Sequence, residues 1–159
     1  LGWYKVHRPV EYYAAYFSVR GEDFDGALVA QGRDAVRRKM NEIQMKGKEA
    51  SKKEEDAFAT LQIVNEMLAR GIQVLPVDLY RSHAKKYLVE DGKIRLPFAS
   101  LAGVGEAAAN SLWEAGQLGS YISVDDLQSR SKVSKSVVET LRDAGALRDL
   151  PQSSQMTLF

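Results

Sequence analysis

The chain has 159 residues, 45% of them hydrophobic, which suffices for one ordinary domain or two small ones with a real core. Its formal net charge is +1, so any nucleic-acid contact has to come from local patches and not from a global basic field. It has no Cys and two His, which excludes disulfides, thiolate catalysis and Cys-ligated metals and argues against a His-rich metal site.

No apolar run approaches the length of a membrane span and no signal-peptide pattern is present, so a soluble, cytoplasmic protein with no membrane partner is expected. The opening Leu1-Gly2-Trp3-Tyr4-Lys5-Val6 reads as the inside of a helix belonging to something larger. His7-Arg8-Pro9 breaks it, and Pro9 suits the first position of a second helix. Val10, Tyr13, Ala14 and Phe17 share one side of that helix, an aromatic core face, and Gly21 ends the segment. The next helix spans 33–44, with Val36, Met40 and Ile43 inward. Its other face is basic (Arg33, Arg37, Arg38, Lys39), and Lys46, Lys48, Lys52 and Lys53 continue the run. That face is either solvated surface or a contact to nucleic-acid backbone. Ser51 and Glu54 form a capping box for a helix to Arg70, buried through Ala57, Leu61, Val64 and Leu68 and stopped by Gly71.

The period then changes to extended. Segments 72–75 and 77–80 flank Pro76, and the segments 86–90 and 93–96 flank Asp91-Gly92, the signature of a β-hairpin with a type I′ turn. Leu101-Ala102-Gly103-Val104-Gly105 follows and opens a helix with Val104, Ala108, Leu112 and Ala115 on one face, stopped by Gly116. Glycines let the backbone approach a partner closely, and a helix start offers unpaired amides at the positive end of its dipole. Together they make a cradle for a phosphate, the hairpin of a helix-hairpin-helix motif, unless they simply make a tight turn. Ser123 starts a short helix through Arg130; Lys132-Val133-Ser134-Lys135 turns; Ser134 caps a last helix with Val137, Val138, Leu141 and Ala144 inward and Gly145 closing it. This second unit offers lysines where the first offers glycines. Tandem units of this kind each meet one strand of a duplex, a geometry of shape readout. A polar linker from Leu150 to Ser154 leads to Gln155-Met156-Thr157-Leu158-Phe159, whose apolar tip calls for a partner.

These segments resemble the C-terminal part of a PolC-type replicative DNA polymerase, the alpha subunit of DNA polymerase III in Gram-positive bacteria. The stretch 7–15 resembles the family's fingers-domain helix and 77–82 the segment after it. Gly103-Val104-Gly105 and Lys132-Val133-Ser134-Lys135 match its tandem helix-hairpin-helix region, and Gln155 to Phe159 resembles its clamp-binding pentapeptide, usually Gln-Leu-Ser-Leu-Phe. Met156 and Thr157 depart from that form mildly. The resemblance implies a mainly α fold with a small β-element: a helical end of the fingers (1–71), the β-element (72–99), a tandem helix-hairpin-helix domain (100–149) and a flexible tail (150–159). It implies double-stranded primer–template DNA, the sliding clamp (beta subunit) and other domains of the parent polymerase as partners. Gly103, Val104, Gly105, Glu106 and Ala107 would hold one strand, and Lys132, Val133, Ser134 and Lys135 the other. Arg37 and Arg38 are further candidates, and Gln155, Met156, Thr157, Leu158 and Phe159 would bind the clamp. The parent would use Mg2+ through palm-domain aspartates, which nothing in this chain matches.

The residues agree with that last point. Asp25, Asp78, Asp91, Asp125 and Asp126 show no spacing that converges on a metal, and neither His7 nor His83 adjoins a nucleophile. No catalytic residue, metal site or cofactor is expected in the chain itself. Two other readings stand beside the favoured one: a stand-alone protein-interaction module with structural hairpins, and a DNA-repair accessory that uses the same hairpins independently.

Overall fold

A computed structural model describes residues 2–153; Leu1 and residues 154–159, which include the pentapeptide 155–159, lie outside the described residues. The fold is mainly helical with one small sheet, as expected. Helix α1 (Gly2–His7) buries no residue; Trp3, Tyr4 and Val6 are exposed. Pro9 opens α2 (Pro9–Val19), whose Tyr13, Ala14 and Phe17 are buried in the expected face. A short helix, α3 (Gly26–Ala30), went unforeseen; Asp25 caps it by accepting the Leu28 amide at 3.2 Å. Helices α4 (Arg33–Lys46) and α5 (Lys52–Ala69) run antiparallel: Arg33 donates to Asn65 at 3.0 Å at one end, and Lys46 pairs with Glu54 at the other. The Ser51–Glu54 capping box is complete, with both bonds at 3.1 Å.

Strands β1 (Val74–Leu75), β2 (Leu88–Glu90) and β3 (Lys93–Arg95) form a sheet of order β1-β3-β2. β2 and β3 are the antiparallel hairpin, paired Val89 to Ile94, and β1 joins β3 in parallel, Val74 to Ile94. Asp91 and Gly92 both have positive φ, 52° and 74°, the type I′ requirement. Arg95 lies 7% exposed beneath this hairpin. Its Nε and Nη2 donate to the two Glu90 carboxylate oxygens, both at 2.8 Å, and its Nη1 to the Pro76 carbonyl at 2.9 Å.

The segment Val77–Tyr80 is a correction: it is a turn and not a strand. Asp78 Oδ1 accepts the amides of Tyr80 and Arg81 at 2.9 and 3.0 Å, a local alternative to a sheet ladder. Ser82 Oγ then bridges the turn to the sheet, accepting from Asp78 N and donating to Leu96 O at 2.6 Å.

Helix α6 (Glu106–Gln117) is a second correction, because Gly116 does not stop it. A Cβ on Gly116 would sit 3.3 Å from the Leu79 carbonyl, so this glycine serves close packing. Ala109, fully buried, replaces half-buried Ala108 in the inward face, beside Leu112 and Ala115. Arg130 covers the helix end instead: it donates to the carbonyls of Ala115, Gly119 and Ser120 at 2.7, 3.1 and 3.1 Å and lies 4.6 Å from the Tyr121 ring. Helices α7 (Val124–Ser131) and α8 (Lys135–Asp143) start as expected, capped by Ser123 and Ser134. Leu150–Gln152 is not a detached linker: Val124 and Asp125 amides donate to the Pro151 and Gln152 carbonyls at 2.9 and 3.2 Å. One continuous hydrophobic core runs from Tyr13 to Leu147 and joins the helical front, the sheet and the hairpin region.

Candidate nucleic-acid interface

The first hairpin is positioned by its apolar residues. Leu101 and Val104 are 3% and 5% exposed, and the Val104 amide closes the loop on the Leu101 carbonyl at 3.1 Å. With those two pinned inward, Ala102, Gly103, Gly105, Glu106 and Ala107 face solvent. A single 3-10 turn, Phe98–Ser100, precedes the loop where a full helix would stand in an ideal unit.

The two glycines have different reasons. Gly103 has φ +92°, a conformation that side chains adopt only with strain, so glycine there has an internal reason. Gly105 has φ −73° and ψ 172°, ordinary for any residue, and a Cβ there would meet no atom within 4 Å. Nothing inside the described residues requires glycine at 105. It is the N-cap of α6, and no side chain caps the helix, so the first-turn amides of Glu106 and Ala107 keep their hydrogen-bonding capacity at the positive end of the dipole.

The second hairpin repeats this backbone. Lys132 takes the left-handed place of Gly103 at φ 60°; Val133, 7% exposed, takes the buried place of Val104; Ser134 takes the extended N-cap place of Gly105 at φ −73° and ψ 164°. The chemistry differs at the helix start. Ser134 Oγ accepts the Val137 amide at 3.3 Å, so α8 caps itself, and exposed Lys132 and Lys135 bring cations. The two hairpins belong to one packed unit: α6 packs on α7 and α7 on α8. The Gly103 loop also lies against α8, a Cβ there being 3.5 Å from Thr140 Oγ1.

The remaining candidates lie elsewhere. Arg37 and Arg38 are exposed on α4, whose packing partners are α3 and α5. The rest of that basic run is partly neutralised, through Lys39–Glu42, Lys46–Glu54 and Lys52–Asp56. Several acidic candidates hold backbone: Asp25 and Asp78 as described, and Asp126, which accepts the Ile122 amide at 3.0 Å and pairs with Arg130. His7 packs its ring 4.7 Å from Trp3. Sequence reasoning missed Lys85, whose Nζ lies 2.9 Å from the Glu106 carboxylate at the start of α6. No spacing signal connects two residues so far apart in the chain. The neighbouring His83 is held below its ordinary pKa by burial first and by the charge of Lys86 second.

The family model described as "Helix-hairpin-helix motif" matches residues 71–157, more than half of the chain. The chain belongs to the helix-hairpin-helix family. Along its whole length this helix-hairpin-helix chain is also similar to proteins named DNA polymerase III PolC-type, so the resemblance drawn from the sequence holds. It is 41% identical over 160 residues to that of Thermotoga petrophila, 44% over 159 residues to that of Clostridium perfringens and 43% over 159 residues to that of Halalkalibacterium halodurans. Each match covers 100% of this chain, which spans 12%, 11% and 11% of those relatives respectively. Among the described residues no helix is long and apolar enough to cross a membrane.

Proposed function

We propose that this chain is the duplex-holding segment of a replicative DNA polymerase, gripping primer–template DNA by its backbone without reading bases. The observation that carries this reading is Gly105, an N-cap glycine with unstrained dihedrals and open space, on a helix that no side chain caps. A glycine without an internal reason fits a backbone that something outside must approach closely. First-turn amides and the helix dipole suit a phosphate oxygen. The second hairpin, capped by its own serine, contributes Lys132 and Lys135 to the opposite strand as mobile cations. Contacts of this kind position a protein on a duplex and carry no sequence information. Fluorescence anisotropy with labelled mixed-sequence duplexes is expected to give similar affinities for all of them. A strong preference for one sequence contradicts the reading.

The pentapeptide Gln155 to Phe159 is proposed to tether the polymerase to the sliding clamp. Leu158 and Phe159 carry the apolar area, and burying both yields on the order of 3–6 kcal/mol before ordering costs. Gln155 supplies an amide that both donates and accepts. The isolated contact is expected to be micromolar or weaker, raised by tethering in the full enzyme. Calorimetric titration of the clamp with this chain should show heat that a version ending at Ser154 lacks; equal heats contradict the tether. The carboxylates and Mg2+ of catalysis belong, in this reading, to other parts of the parent polymerase.

A further inference from the structure

The turn His83–Lys86 is locked beside the first hairpin by contacts at both ends. His83 Nδ1 accepts the amides of Lys85 and Lys86 at 3.1 and 3.0 Å, which fixes the turn itself. The His83 ring lies 4.9 Å from Trp113 of α6. The His83 and Ala84 carbonyls accept the Phe98 and Ala99 amides at 3.1 and 3.0 Å, tying the turn to the strand of chain that leads into the hairpin. Ala84 is buried, while Lys85 and Lys86 are exposed. Lys85 is therefore carried on a rigid support beside the start of α6.

Lys85 has a partner there, but a weak one. Its Nζ meets Glu106 Oε1 at 2.9 Å, with side chains 53% and 68% exposed. An exposed pair of this kind is strongly screened, and a doubly liganded phosphate competes for the ammonium. Glu106 is the acidic counterpart of Lys135 at the start of the second hairpin's helix, and Glu22 lines the same cleft as Lys85 and Glu106. A strand approaching Gly105 meets the Glu106 carboxylate, and Lys85 is the cation placed to offset it.

We infer that Lys85 is a further backbone-phosphate contact, exchanging its Glu106 partner for the DNA strand held by the first hairpin. This inference rests on the duplex-holding reading above. The Glu106 carboxylate then acts as a brake on binding, and Lys85 does more than neutralise it.

A double-mutant cycle on the full 159-residue chain tests this. The probe is a fluorescein-labelled mixed-sequence duplex titrated at several salt concentrations. Lys85→Ala should weaken binding roughly 3- to 10-fold at low salt and make the slope of log K against log salt shallower by about 0.9. Glu106→Gln should tighten binding about 2- to 5-fold. Lys85→Ala should weaken binding by a similar factor in the Glu106→Gln background, because its phosphate contact survives. Unchanged affinity and slope in Lys85→Ala overturn the inference while leaving the hairpin reading intact. So does an effect that vanishes in the Glu106→Gln background, which would make Lys85 only a neutraliser of Glu106. A wild-type chain that does not bind the duplex overturns the hairpin reading and this inference with it.

Discussion

Replacing Glu90 by Ala is expected to destabilise the fold by about 3 kcal/mol, because it leaves a buried guanidinium without its counter-charge. Arg95 is 7% exposed, and without Glu90 it would keep only the Pro76 carbonyl bond. Arg81 also donates to Glu90 at 2.7 Å, but its side chain is 66% exposed, so the loss of that bond adds little. The same site sets an acid sensitivity. The Arg95 hydrogen bonds above all, and then the one from Arg81, lower the Glu90 pKa from its ordinary 4.5 to about 2. The folded value lies below the unfolded one, so this stabilisation is complete above the unfolded pKa and is lost as pH falls through the folded pKa. Urea unfolding at about pH 7 and about pH 3 should show wild-type stability dropping between them by on the order of 1–2 kcal/mol from this group, after screening. Glu90→Gln should flatten that part of the profile. A loss under about 1 kcal/mol in Glu90→Ala, or an acid profile unchanged in Glu90→Gln, would show that the pair is not holding the hairpin on the core.

Replacing Gly105 by Asp should separate folding from binding. The dihedrals at 105 are those of an N-cap and no atom lies within 4 Å of the new Cβ. Asp is a better N-cap than Gly, so stability should stay equal or rise by a few tenths of a kcal/mol. Its carboxylate would occupy the amides that the phosphate needs and repel it, and duplex affinity should fall at least about 10-fold. Gly105→Val should also lose binding through bulk alone, with helix content retained. Gly103→Ala should behave oppositely: its φ of +92° makes a side chain costly by about 1–2 kcal/mol, so folding suffers first. Gly105→Asp binding like wild type would remove the first hairpin from the interface.

What the sequence made legible was local chemistry. Pro9, the Ser51–Glu54 box, Asp91-Gly92, Ser123 and Ser134 each act within a few residues, and each element starts or turns where those side chains dictate. The two hairpin loops were legible for the same reason. Long-range effects were not. Val77–Tyr80 alternates like a strand, yet Asp78 and Ser82 divert it into a turn against Leu96. Gly116 reads as a stop until Leu79 is seen packed against it. The difference between Gly103 and Gly105 lies in dihedral angles that a Gly-x-Gly pattern does not encode. Lys85 came into the candidate site only through the tertiary lock on its turn, and the addition of β1 in parallel to β3 likewise had no local signal.

The most direct test of the account is the salt dependence of duplex binding by the intact chain. Two hairpins holding about four phosphates predict that log K falls against log salt with a slope of roughly −3 to −4, the same for unrelated sequences. An affinity that does not change with salt would contradict it.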